Sequence, residues 1–209
     1  MTPRWSFALG AIVLLAGACA APAAASPLDD LIAPKAGNSA CFTRAYDADH
    51  LRKNPRQTTT SMTVRFAYEK PDGDKTGLGL ELGLSLSRKG DAQPFFAQGG
   101  CIWDEHANRD TSDRRMIKEF KKEAGAGCMM SARPDVFDTL SAEEGGYVII
   151  DRGKDDNTLM LYLEDGLTMV KQADRAKQLY IEFGSDDRVF LLHRAEAKDC
   201  DFVMRALFR

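Results

Sequence analysis

The chain has 209 residues, 44% of them apolar and 28% charged, with a formal net charge of −3 at neutral pH. So mixed and mildly acidic a surface gives no electrostatic hold on nucleic acid or on an anionic membrane. No block of like charge is long enough to form a tail.

The N-terminus has the three parts of a secretory signal peptide. Arg4 supplies a basic start, residues 7–15 (FALGAIVLL) an apolar core, and AGACAAPAAAS a small-residue run with Ala23 and Ala25 in an A-x-A arrangement. Cleavage after Ala25 is expected, making 1–25 a signal peptide. The apolar core is too short for the ~30 Å of hydrocarbon a membrane anchor would cross. Lipidation at Cys19 is a further alternative, although Leu15 stands one place too far from the cysteine for a good lipoprotein signal. Residues 26–40, rich in Pro, Ala and Gly and without a period, read as a mobile leader. Residues 41–209 are then expected to form one disulfide-stabilised β domain, in the periplasm or secreted.

Cleavage leaves Cys41, Cys101, Cys128 and Cys200, an even set that in an exported chain implies two disulfides of three possible connectivities. The preferred pairing joins Cys101 to Cys128 around a local excursion and Cys41 to Cys200 across the whole domain. Each would contribute about 3–5 kcal/mol on the chain-entropy account.

Residues 41–46 (CFTRAY) form the first expected strand, and 47–55 (DADHLRKNP) a loop or single helical turn stopped by proline. Extended structure resumes over 58–70, where Val64, Phe66 and Tyr68 alternate with Arg65, Ala67 and Glu69. The turn-rich run 71–77 leads into 78–87, LGLELGLSLS, in which five leucines alternate without a break with Gly, Glu and Ser. A period of two places Leu78, Leu80, Leu82, Leu84 and Leu86 on one face of a strand, whereas a helix would scatter them. These two runs make a hairpin, and 95–103 (FFAQGGCIW) is the third member of a meander after a turn at Gly90–Asp91. Thr111 or Ser112 caps a short helix through about residue 124. Further strands are expected at 128–131, 147–151, 158–163, 167–170, 179–183 and 188–193. The last two would form a hairpin across Gly184, Ser185, Asp186 and Asp187, and the tail 199–208 leans to strand. The sum is a mainly β protein, an antiparallel barrel or sandwich of about nine strands with one short inserted helix; a closed barrel is preferred because it leaves no sheet edge.

The run Cys41-Phe42-Thr43-Arg44-Ala45-Tyr46-Asp47-Ala48-Asp49-His50-Leu51, followed by Pro55 and Gln57, resembles the opening of a group of uncharacterised exported proteobacterial proteins. The resemblance implies export and carries no activity.

Candidate chemistry centres on the histidines. His50 follows Asp47 and Asp49, and His106 follows Asp104 and Glu105; these are the candidate site residues. His193 ends a strand beside Arg194. None has the spacing that sets two metal ligands on one helical face, and no metal or cofactor is expected. Residues 72–77 imitate half a calcium loop, but the position that needs a bidentate glutamate is Gly83. There is no G-x-S-x-G elbow. The polar side of the leucine strand, with Gly79, Gly83, Ser85 and Ser87, leaves room for a backbone, ligand or partner to approach. The expected function is an exported binding or interaction module for a small apolar ligand or an envelope protein. The alternative is an extracytoplasmic hydrolase or metal-dependent enzyme using His50 or His106 with nearby carboxylates.

Overall fold

A computed structural model describes residues 27–69, 79–104, 125–132 and 145–203. Its ten strands are β1 (Ser39–Ala45), β2 (Thr59–Glu69), β3 (Gly79–Arg88), β4 (Phe95–Asp104), β5 (Gly125–Ser131), β6 (Tyr147–Arg152), β7 (Thr158–Leu163), β8 (Gly166–Lys171), β9 (Asp174–Glu182) and β10 (Val189–Ala195). One short helix, α1 (Ala48–Lys53), follows β1. Eight strands close antiparallel in the order β3-β2-β1-β10-β7-β6-β5-β4, with β4 pairing back to β3. Among the described residues the β8–β9 hairpin pairs with this wall through β4, where Phe95 and Phe96 stand opposite Lys171 and Val170, and Leu167, Met169 and Ile181 join the buried core cluster of the barrel.

The leucine strand lies in the wall as its alternation requires. Leu82, Leu84 and Leu86 stand opposite Phe66, Val64 and Met62 of β2, all buried in one core cluster. Leu80 belongs to the same cluster; Leu78 lies outside the described residues. Leucine is a mediocre strand former and glycine a poor one, so the packing of this face, not backbone preference, sets the conformation. One contiguous cluster of buried side chains lines the interior. Phe42, Phe190, Met130, Ile150, Leu159 and Leu161 reach inward from other strands and are almost entirely shielded from solvent. Apolar residues thus face inward while Thr63 and Arg65 face out, the reverse of a lipid-facing barrel. Among the described residues, no helix is long and apolar enough to cross a membrane.

Both cysteine pairs form as expected. Cys101 and Cys128 are direct partners on β4 and β5, and Cys41 joins Cys200 over a separation of 159 residues. Cys41 points outward because Phe42 points in, so the second disulfide holds the C-terminal segment against the outside of β1, where the Cys200 disulfide sulfur lies 3.3 Å from the Val64 carbonyl oxygen.

Three expectations need correction. The strands at 179–183 and 188–193 do not pair with each other: β9 pairs with β8, while β10 lies between β1 and β7. Turn chemistry between two extended runs cannot reveal that closing a barrel separates them. The tail is no strand through its described part; Ala197–Cys200 is a 3-10 turn whose path is set by the disulfide and by burial of Val203. The segment from residue 27 onward is not a loose leader either. It forms a 3-10 turn at Pro27–Asp30, inserts Leu31 and Ile32 into the core, and ties the Gly37 amide to the Tyr68 carbonyl. Two adjacent apolar residues plugging a barrel end leave no periodic signature. The helix expected near 111–124 lies outside the described residues, and the loop-or-turn at 47–55 contains α1.

Candidate functional site

The described chemistry gathers at the barrel end where β2 and β10 begin. Asp47 caps α1: its backbone is extended, and its carboxylate accepts from the His50 amide at 2.7 Å. That hydrogen bond holds the Asp47 carboxyl below the usual carboxylate range. His50 sits one turn along, its ring 4.5 Å from that of Tyr46. Its Nε2 is 2.9 Å from Gln57 Oε1, and Gln57 Nε2 donates to the Thr59 carbonyl. Because the amide oxygen can only accept, His50 Nε2 is the donor. The histidine is spent on fixing the chain between α1 and β2.

Beside it, Asp187 is fully buried and accepts from the Thr58 amide and hydroxyl at 2.7 Å each and from the Thr59 amide at 2.9 Å. Its neighbour Asp186 forms an ion pair with Arg56 at 3.0 Å. Together the two acids pin the turn at Ser185–Asp187 to the start of β2. Tyr46 lies between these groups, against Phe190, with the Arg44 guanidinium 5.3 Å above its ring. Burial raises the Tyr46 phenol above its ordinary value and the Asp187 charge adds to that, while Arg44 acts in the opposite direction. Arg44 Nη1 in turn lies 2.8 Å from His193 Nε2. A guanidinium can only donate, so His193 accepts through Nε2 and carries its proton on Nδ1.

The structure therefore brings Asp47 and His50 together, but as cap and strut. The Asp47 carboxylate holds the His50 amide and His50 Nε2 holds Gln57, and a phenol whose pKa is raised is no base at neutral pH. Asp104 ends β4, where its backbone pairs with Gly125; His106 and Glu105 lie outside the described residues, as does the calcium-like run. No group of three or more His, Cys, Asp or Glu among the described residues could hold a metal ion. Sequence reasoning passed over Arg44, Tyr46 and Asp187. The last was visible only as one of two turn aspartates, and nothing local separates a solvated turn acid from one that docks a distant strand.

The polar side of the leucine strand is occupied by the chain itself. Ser85 stands opposite Phe96, whose ring meets Phe202 edge-on at 6.2 Å, and Phe96, Ala132, Val170 and Val203 form a second buried cluster outside the barrel. Gly83 lies between Arg65 and Gln98 in one cross-strand row, and its missing side chain leaves space for both long neighbours.

Open surface lies elsewhere. Val189 and Leu191 point outward from β10 with 43% and 37% of their surface exposed, and Leu191 faces half-buried Met160 of β7. On β9, Tyr180 is 61% exposed. No family model, curated protein or solved structure matches this chain.

Proposed function

We propose that the chain is an exported interaction module, periplasmic or secreted, that binds a protein partner on its outer surface. The observation that carries this reading is the single buried cluster inside the barrel. A ligand-holding barrel keeps a lined cavity, whereas here phenylalanines, methionines and leucines from all sides occupy the interior as one packed cluster. That packing counts against a small apolar ligand held within the barrel and favours recognition from outside.

Export is supported by the N-terminal pattern and by two disulfides, which persist in oxidising compartments. The outward strip of Val189, Leu191 and Met160 is the surface best suited to a partner, because it sets aliphatic area on the paired backbones of β10 and β7. The hydrolase alternative loses His50 and Asp47 to their structural roles. Native mass measurement of the protein recovered from the exported fraction tests the reading. The expected species is the processed chain with both disulfides and no retained small molecule, alone or with a protein attached. A stoichiometric adduct of lipid or cofactor size would overturn it. Leu191→Asp is expected to release the attached protein without unfolding the barrel.

A further inference from the structure

Among the described residues, β9 has an unpaired edge. β9 ends the strand order: β8 pairs with one of its edges, and no strand among the described residues pairs with the other. The direction of its main-chain groups is fixed by the hydrogen bond from the Phe183 amide to the Asp165 carbonyl. These two residues continue the register in which Gly166 faces Glu182, so they are a hydrogen-bonded pair. By alternation Ile181 and Leu179 also turn their amides toward β8. Gln178, Tyr180 and Glu182 turn theirs away, toward the open edge.

Natural edges are guarded by lysine, proline, bulges or shortness. β9 has such devices at its far end, where Arg175 and Lys177 stand near the register shift at Val170/Lys171. Its nearer half has none: Gln178, Leu179, Tyr180, Ile181 and Glu182 present a straight, uncharged template up to the final residue. Tyr180 is held in place on that half, because its ring lies over Gly166 of β8, filling the space a side chain there would need.

We infer that this edge pairs antiparallel with the same edge of a second copy, about a two-fold axis at Tyr180. Charge narrows the register. Since only outward-turned residues can exchange bonds, Gln178, Tyr180 and Glu182 must face members of the same set. Centring on Gln178 would set Asp174 against Glu182; centring on Lys177 would set it against its own copy. Centring on Leu179, Tyr180 or Ile181 avoids every like-charge pair, and of these only Tyr180 places all three outward residues, Gln178, Tyr180 and Glu182, opposite one another. The Tyr180 register also sets Gln178 against Glu182 and Leu179 against Ile181, each twice by symmetry, and places the two Tyr180 backbones opposite each other at the axis, with each ring lying back over its own Gly166.

Sedimentation of the purified, unfused protein over a wide concentration series tests this. The wild-type chain is expected to pass reversibly from monomer to dimer, with the Gln178, Tyr180 and Glu182 amides gaining protection from hydrogen exchange as dimer forms. Gln178→Pro removes an outward amide that β8 does not use, and should weaken the dimer by roughly tenfold or more at unchanged melting temperature. Should that variant melt early, Tyr180→Asp carries the test: an exposed side chain is replaced, and two carboxylates then face each other across the axis. A wild-type chain that stays monomeric throughout overturns the inference, as does a dimer that survives both substitutions.

Discussion

β3 and β9 are both long strands in one continuous sheet, yet they do opposite work. β3 is paired along both edges, has its leucine face in the core and has Gly83 and Ser85 buried on its other face, Ser85 opposite Phe96. β9 is paired along one edge, and of its residues only Ile181 is buried. The difference shows where stability and recognition are divided in this molecule. Apolar area removed from water accumulates in the closed wall, at about 25 cal/mol per Å2. β8 contributes Leu167 and Met169 to that core, whereas β9 adds only Ile181 and, among the described residues, has no strand on its outer edge.

Truncation in the wall should therefore have the largest effect. Leu82→Ala removes a side chain packed between Leu80, Leu84 and Phe66 and leaves a cavity the sheet can only partly close, so unfolding in denaturant should show a loss of about 2–5 kcal/mol. Asp187→Ala comes next. It strips the buried Thr58 and Thr59 amides of their acceptor, and the same measurement should show a loss of roughly 2–3 kcal/mol. Gly146→Ala is expected to cost about 1–2 kcal/mol, since φ there is +90° and a side chain would meet the Gly166 carbonyl oxygen. On β9, Tyr180→Ala should fall within about 0.5 kcal/mol of wild type, as substitutions at exposed positions do. If Tyr180→Ala matched Leu82→Ala, the division between wall and hairpin would fail.

The same contrast explains what could be read from the sequence. β3 was legible because one buried face imposes a period of two, and the leucines display it without interruption. Two disulfides were legible from an even set of four cysteines, and of the three possible connectivities the preferred one, a local link plus an end-to-end link, is the one that forms. Most of β9 was not legible. Exposed on both sides over most of its length, it carries no alternation, and only its buried end at 179–183 read as strand. Its partner was misassigned for a related reason. Gly184 to Asp187 has the chemistry of a hairpin turn, and only barrel closure, a property of the whole chain, sends β10 between β1 and β7 instead. The candidate site divides in the same way. Asp47 and His50 were singled out by residue type, and their roles as cap and strut depend on Gln57 and Tyr46, whose positions follow from the fold. Asp187 looked ordinary because its partners lie 128 and 129 residues away.

Amide hydrogen exchange on dilute, monomeric protein tests the division between closed wall and open edge most directly. The amides of Leu82 and Leu84 are expected to exchange only through global unfolding. On β9 protection should alternate: Leu179 and Ile181 slow, Gln178, Tyr180 and Glu182 close to the rate of an unstructured chain. Uniform protection along β9 at that dilution, equal to that of β3, would mean that its outer edge is already paired and would contradict the account.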